Sequence, residues 1–323
     1  MANHFGAKPA QAETAVAKEV TIDAKRNKKA KNSLKIKRSI FISLMLAWPI
    51  IHMLIFWFYV HVDSIFLGFR SDAGGFTLRY FSTFLKDLIN PEHIAFRSVI
   101  QSLIGAAFGQ FIAFPTSLIL AYFMFKGVPW NKFFRTVYFL PNIISAVVMT
   151  SIYYYLLASE GPINSLLGMF DIRPIGFLTT ERYVFASCLF YGFWTGRGMD
   201  TLLLSGAMAR IPDDIMDYSK LEGVGFVREF FQIILPLIFD TVSSIIIMSV
   251  TGVFTGMGMT LLLTAGGGLE KYTSTIGYFI YYCVQRDMLQ YAAAGGLVFS
   301  LIAVPLVMTL RKILSKISDG IEF

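Results

Sequence analysis

The chain has 323 residues and a formal net charge of +7, and 55% of its residues are hydrophobic whereas only 15% are charged. Its mean hydropathy is +0.60. A soluble globular domain is usually about a quarter charged, so this composition excludes an ordinary soluble protein. The presence of only 2 cysteines also excludes a secreted fold held together by disulfides.

The N-terminal residues 1–38 form a basic segment. Between Lys25 and Arg38 the sequence carries a dense run of Lys and Arg and no acid. Such a run can bind nucleic acid, but a basic flank on the cytosolic side of a first membrane span explains it better. We therefore predict a soluble cytosolic tail and no nucleic-acid partner.

Apolar stretches follow, and six of them are long enough to cross a hydrocarbon core of about 30 Å. They are continuous rather than alternating, so they predict helices and not the strands of a barrel. The fold class is thus an all-α membrane protein with six transmembrane helices. The predicted spans are Ile40–Val60, Val99–Phe125, Phe133–Leu156, Tyr183–Met208, Ile233–Leu262 and Tyr291–Ile313.

These spans predict three parts of the chain: the tail (1–38), a first transmembrane helix with an external loop (39–98) and a core transmembrane domain (99–316). The larger share of Lys and Arg falls on the side of the N-terminus, which predicts that both termini are cytosolic. Prolines inside spans remove a backbone donor and favour kinks. They are Pro49, Pro115, Pro141, Pro236 and Pro305.

Sequence motifs for catalysis are not found. No phosphate-binding G-x-x-x-x-G-K-[ST] loop and no G-x-S-x-G turn occurs. The spacing of the four histidines does not match a metal site. We therefore predict that the chain is not an enzyme and carries no cofactor or metal of its own.

The segment 209–236, between the fourth and fifth predicted spans, is too ordered for a plain connector. Ile211, Ile215 and Tyr218 have helical spacing and predict one apolar face. Pro212 suits a helix start and is followed by acids, which favour the positive end of the helix dipole. Gly223 then allows a turn before an amphipathic stretch. We predict a short helix that docks on a partner; the alternative is a helix that only rests on lipid.

The same segment carries a spaced set of residues that matches a known motif. The matching positions are Ile211-Pro212, Asp217, Glu222-Gly223-Val224, Phe230, Ile233, Leu235 and Pro236. This set resembles the Glu-Ala-Ala loop of membrane subunits from bacterial ABC importers. There an acid and two small residues precede Asp-Gly-Ala and a Phe-x-x-Ile-x-Leu-Pro tail. Tyr218 and Ser219 replace the two alanines, which is a departure.

Other segments are similar to the sugar-importing branch of that family, the maltose and multiple-sugar type. They are residues 76–103, 126–145 and 273–302, so the resemblance covers residues 40–313 and excludes the basic tail. The resemblance implies the type I ABC importer permease fold with a cytosolic coupling helix, in the cytoplasmic (inner) membrane of a bacterium.

The resemblance also implies partners. They are a second homologous permease that forms a heterodimer, two ATPase subunits that hold ATP and Mg, an external solute-binding protein and the lipid bilayer. The residues expected to couple this chain to the ATPase are Ile211, Pro212, Asp217, Tyr218, Ser219, Glu222, Gly223, Phe230 and Pro236.

Polar residues within spans predict where a substrate could pass, because charges in a membrane usually face a cavity or a partner. Arg197 and Asp200 lie three apart on one helix face, and Trp194 is close by in sequence. They form either a self-neutralising ion pair or a polar wall of the path. The wall could also include polar residues of other spans, which are Gln101, Gln110, Asn142, Thr150 and Asp240. Tyr154 could stack on a sugar ring, or belong to an aromatic belt at the membrane surface.

We therefore expect an ABC importer permease subunit for a sugar, in particular an oligosaccharide. The alternatives are a permease of the same architecture for a non-sugar solute, and an ATP-independent secondary carrier or membrane receptor. An Arg197 without a partner would favour an acidic sugar, whereas one paired with Asp200 would not.

Overall fold

The computed structural model describes residues 35–72, 74–265 and 268–319. The predicted basic tail lies outside the described residues except for Lys35–Arg38. Within the described ranges the regular structure is helical, and the extended pairing is limited to an isolated bridge between Arg70 and Phe76. The prediction of an all-α fold is confirmed.

The helices are numbered here in chain order. They are α1 (Lys35–Phe69), α2 (Arg79–Ile89), α3 (Ile94–Phe125), α4 (Asn131–Ile143), α5 (Ala146–Leu157), α6 (Pro162–Gly168), α7 (Glu181–Met208), α8 (Asp213–Leu221), α9 (Phe226–Leu237), α10 (Phe239–Thr255), α11 (Gly258–Leu263), α12 (Ile276–Gln285) and α13 (Leu289–Asp319). Contacts divide the chain into two compact units, Met1–Ser64 and Ile65–Phe323. The described part of the first unit is α1 up to Ser64.

Three of the described helices, α1, α3 and α13, are long and apolar enough to cross a membrane. Two bent pairs raise the number to five if each pair is one span: α4 with Ala146–Gly168, bent by 105°, and α9 with α10, bent by 76°. Helix α7 is 28 residues long, but it includes Arg197 and Asp200 and is not among these five. The six predicted spans therefore remain a prediction.

Both bends follow a proline. Helix α4 ends at Ile143, just after Pro141, and α9 ends at Leu237, next to Pro236. Proline has no N–H to donate to the preceding turn, so the helical hydrogen bonding is weakest there. Pro305, by contrast, lies inside the continuous helix α13. A proline therefore permits a break at these positions but does not by itself impose one.

Three apolar clusters hold the second unit together. The loop-end cluster joins the last turns of α3 and α7 to α8, α9 and α10, and includes Tyr122, Met208, Met216 and Ile234. A second cluster surrounds Phe84 where α2, α12 and α13 meet, and it includes the buried thiol of Cys283. The third joins α5, α7 and α11 around Tyr153 and includes the buried thiol of Cys188.

Helices α4 and α7 cross closely at Gly198. A Cβ on Gly198 would lie 2.6 Å from the carbonyl oxygen of Tyr138 and 2.3 Å from the amide nitrogen of Asn142. The Tyr138 oxygen belongs to the backbone of α4, so it cannot move aside as a flexible side chain would. The crossing therefore requires glycine at position 198.

We predict that Gly198→Ala destabilises the protein, because the added methyl group must push the two helices apart. The expected loss in the free energy of unfolding is about 1–3 kcal/mol, as for other overpacked contacts. Gly196→Ala is the matched control, since a Cβ there meets nothing within 4 Å. Unfolding of the two purified variants in the same detergent measures the difference. Equal stability of the two would contradict the close crossing.

Candidate functional site

Helix α8 lies in the connector that follows α7. Pro212 precedes the helix in an extended conformation, with φ −59° and ψ 137°. Asp213 and Asp214 occupy the first turn and Lys220 the last. This arrangement places negative charge at the positive end of the helix dipole and positive charge at the other end, which stabilises a short helix.

One side of α8 packs on the loop-end cluster and the other is open. Met216 and Ser219 are buried, as is Ile211 in the turn before the helix. Tyr218 is 70% exposed and Leu221 is 83% exposed. The predicted apolar face is therefore wrong at Tyr218. The predicted face assumes a continuous helix from Ile211, but Pro212 is extended, and the buried side of α8 is centred on Met216 and Ser219, so Tyr218 points outward.

The open side of α8 carries an ion pair. Lys220 Nζ lies 2.8 Å from Asp217 Oδ1, and both side chains are 66% exposed. The hydrogen bond to the Asp217 carboxylate raises the pKa of Lys220 above its usual value. A pair this exposed contributes little to folding stability. Its charges, together with Tyr218 and Leu221, are available to a partner.

Gly223 ends α8 in a left-handed conformation with φ +63°. Its N–H donates to the Lys220 carbonyl at 3.1 Å, and the N–H of Val224 donates to the Ser219 carbonyl at 3.0 Å. This pair of bonds is a Schellman motif, which satisfies the last carbonyls of a helix. A Cβ on Gly223 would meet nothing within 4 Å. The need for glycine thus comes from the backbone conformation and not from a close neighbour.

Glu229, in the first turn of α9, is buried and ionically paired. Its carboxylate lies 2.7 Å from Lys126 Nζ and accepts a 3.0 Å hydrogen bond from the Tyr122 hydroxyl. Phe230 is also buried, and its ring centroid is 5.0 Å from that of Tyr122. None of Glu229, Lys126 and Tyr122 is among the residues predicted from the sequence to have a functional role. The available signal was an acid inside the apolar stretch before Pro236.

The polar residues of α7 contact α3. Arg197 Nη1 donates to the hydroxyl of Ser117 at 3.1 Å, and Nε donates to the carbonyl of Phe193 at 3.2 Å. Asp200 lies 3.7 Å from the same Nη1. The Arg197 side chain is 12% exposed and that of Asp200 is 28% exposed. Arg197 is therefore paired and does not single out an acidic sugar.

The other residues predicted to line a path are dispersed. Asn142 donates to the Thr195 carbonyl at 3.3 Å, on the side of α7 that faces α4, and not on the side of Arg197. Trp194 stacks obliquely near Tyr153, at 6.2 Å between centroids, and the Tyr154 hydroxyl donates to the Leu263 carbonyl. Gln110 on α3 has a buried amide oxygen that no described residue hydrogen-bonds.

A cavity of about 310 Å³ lies between α3, α7, α10 and α11. Its polar lining includes Gln101, Ser102, Ser249, Thr260 and Thr275. Of the residues predicted to join the path, Gln101 lines this cavity, whereas Arg197 and Asp200 do not. The structure thus separates a half-open cavity from the polar group around Arg197. Within the described ranges, no three His, Cys, Asp or Glu side chains are placed to hold a metal ion.

Comparison with known proteins gives a family match over residues 113–319, to the "Binding-protein-dependent transport system inner membrane component" family. Helices α8 and α9 and Gly223 lie inside the matched range. The chain is 30% identical to the probable ABC transporter permease protein YurN of Bacillus subtilis over 181 residues, which are 55% of this chain and 62% of YurN. It thus spans less than two thirds of that relative.

A longer match is to YteP of Bacillus subtilis, a polygalacturonan/rhamnogalacturonan transport system permease protein. The identity is 24% over an alignment of 324 positions, which covers 95% of this chain and 98% of YteP. In structure, the chain is similar to one chain of a bacterial alginate ABC transporter in complex with its alginate pentasaccharide-bound periplasmic protein. The TM-score is 0.78 at 20% identity, over 88% of this chain and 97% of that chain.

We predict that Arg197→Ala destabilises the protein more than Asp200→Ala. Removing the arginine leaves Ser117 and a partly buried carboxylate without their partner, which costs about 1–3 kcal/mol of unfolding free energy. Removing Asp200 leaves Arg197 with two other acceptors. Arg210→Ala, an exposed arginine beyond α7, is the control.

The double variant completes the comparison, and thermal unfolding in detergent gives each value. We expect it to be more stable than Arg197→Ala alone, because no carboxylate is left without a partner, and less stable than the wild type, because Ser117 still lacks its partner. Equal losses in the single variants, fully restored in the double variant, would instead reduce the group to a simple Arg197–Asp200 pair.

Proposed function

We propose, since the chain belongs to the family of binding-protein-dependent transport system inner membrane components, that it is the permease subunit of an ATP-driven importer for an oligosaccharide. The family is one of multi-pass membrane transport components and not of enzymes. The fold is that of a type I ABC permease. The proposal adds the substrate class, the energy source and the role of the loop.

The observation that carries the proposal is the open side of α8. Tyr218 and Leu221 project outward beside the Asp217–Lys220 pair, on a helix too short to cross a membrane. Exposed apolar side chains bordered by charges are typical of a protein interface. We infer that α8 docks on an ATPase subunit and that Gly223 sets the angle at which the chain returns to α9.

The energy source is inferred from the sequence. The sequence contains no phosphate-binding loop, so ATP and Mg belong on partner chains. We propose two ATPase subunits and a second permease of similar size, because one chain offers one docking helix. An external binding protein would deliver the sugar, as the family description and the complex of the alginate transporter support.

The substrate class rests on the named relatives. YteP transports polygalacturonan and rhamnogalacturonan by its description, and the similar structure is an alginate transporter. Polygalacturonan, rhamnogalacturonan and alginate are all built of sugar units, which supports an oligosaccharide as the substrate of this chain. An ATP-independent carrier, the alternative from another class, does not fit a binding-protein-dependent family. We propose that Arg197 and Asp200 form a polar wall of the path.

The direct test is transport by the assembled complex. The chain is co-expressed with the second permease, the ATPase and the binding protein encoded beside it, and the complex is reconstituted in liposomes. A panel of neutral and uronic-acid oligosaccharides is then offered with ATP. We expect one class of oligosaccharide to stimulate ATP hydrolysis and to enter. Uptake by this chain alone, without an ATPase, would refute the proposal.

We predict that Gly223→Val weakens the hold on the ATPase and lowers the sugar imported per ATP. A branched side chain in the left-handed region costs about 1–2 kcal/mol, so the end of α8 should change conformation. Membrane insertion should persist, because no span contacts this position. Gly225→Val is the control, since Gly225 has φ −69°, an ordinary value for valine. Unchanged ATPase retention and uptake in Gly223→Val would exclude a coupling role for this turn.

A further inference from the structure

We infer that the ion pair between Lys126, at the end of α3, and the buried Glu229 transmits the displacement of α8 to the polar residues of α7. The inference deepens the proposed function and rests on it. It assigns a positioning role to Lys126 and Glu229, which act through α3. The connection has two parts. The first joins α9 to α3, and the second joins α3 to α7.

The first part is the attachment of Glu229 to the end of α3. Among the residues that the structure describes, Glu229 is the single charged residue that is buried. Lys126 and Tyr122 stand one turn apart at the end of α3, and both bind this carboxylate, at 2.7 Å and 3.0 Å. The two contacts fix α9 to α3 in position and in rotation.

The charge of this link needs an explanation beyond stability. Burying the Glu229 carboxylate is costly, and apolar residues of similar volume often hold two helices together equally well. Separating α9 from α3 would leave this buried carboxylate without its partner, which is strongly destabilising, so the pair opposes sliding of one helix past the other. Glu229 also follows α8 closely in the chain, across the turn at Gly223. A shift of α8 therefore pulls on this pair.

The second part of the connection runs along α3 to α7. Ser117 lies about one and a half turns before Tyr122 on an unbroken stretch of α-helix, a distance of about 7.5 Å along the axis. Its hydroxyl, which is buried, accepts the hydrogen bond from Arg197. The stretch Phe114–Phe125 thus connects Glu229 at one end with Arg197 at the other.

Helix α3 is built to move at the boundary of this stretch. Just before it, residues Gly109–Ala113 form a π-helical turn, and Pro115 follows in the resumed α-helix. Both features weaken the regular hydrogen bonding and are common at bends. The stretch Phe114–Phe125 can therefore tilt as a rigid segment when Glu229 is displaced, and carry Ser117 and Arg197 with it.

The test replaces both charges with methionine, and Tyr122, whose hydroxyl would lose its acceptor, with phenylalanine, in the triple variant Lys126→Met, Glu229→Met, Tyr122→Phe. The complete complex is reconstituted, and ATP hydrolysis and sugar uptake are measured together. We expect normal assembly, because two apolar side chains can replace such an ion pair, and ATP hydrolysis that the sugar-loaded binding protein still stimulates. Sugar imported per ATP should fall about threefold or more, a change typical of a lost coupling contact.

A matched control changes an exposed ion pair in the same way. Arg97 and Glu92 lie 3.5 Å apart, away from the loop end, and Arg97→Met, Glu92→Met should keep the wild-type ratio. The charge-swapped variant Lys126→Glu, Glu229→Lys should recover part of the ratio lost in the methionine variant.

Three outcomes would overturn the inference. A wild-type ratio in the methionine variant would show that the charges are not needed for transmission. Failure of that variant to assemble would assign the pair to folding. An equal fall in sugar imported per ATP in the Arg97→Met, Glu92→Met control would show that the effect is not specific to the pair of Lys126 and Glu229. If the wild-type complex imports no sugar of the panel, the proposed function itself fails, which is a different result from any of these three.

Discussion

Polar groups that leave water need partners inside the protein, and this constraint shapes the whole second unit. Hydroxyl side chains meet it locally: Thr116 and Thr150 each donate to the carbonyl one turn earlier, at 2.6 Å and 2.7 Å. The charged groups Arg197 and Glu229 also reach other helices, and the contacts they make fix how α3, α7 and α9 are arranged.

The break between α5 and α6 obeys the same constraint, because a broken helix leaves carbonyls without donors. After α5 the amide of Asn164 donates to the carbonyls of Ala158 and Ile175, at 2.9 Å and 3.1 Å, and its oxygen accepts from the Ile175 N–H at 2.8 Å. One buried side chain thus replaces several missing backbone bonds. Sharp turns are possible in this apolar fold where such a residue is available.

How much of this could be predicted from the sequence depends on the distance between interacting residues. Long apolar runs predicted α1, α3 and α13, and local spacing brought Arg197 and Asp200 together on α7. The angle of a bend and the partner of Glu229 could not be predicted, since Lys126 is 103 positions away in the chain. Tyr218 was misplaced because a single extended residue, Pro212, shifts the helical phase.

The burial of both thiols has a practical consequence for labelling. Cys188 is 3% exposed and Cys283 is 0% exposed, and a buried thiol is inert towards water-soluble reagents. A cysteine introduced at an exposed position of α8 would then be the reactive one among the described residues. The native sequence can therefore serve directly as the background for fluorophore or spin-label attachment, with its two cysteines left in their apolar packing.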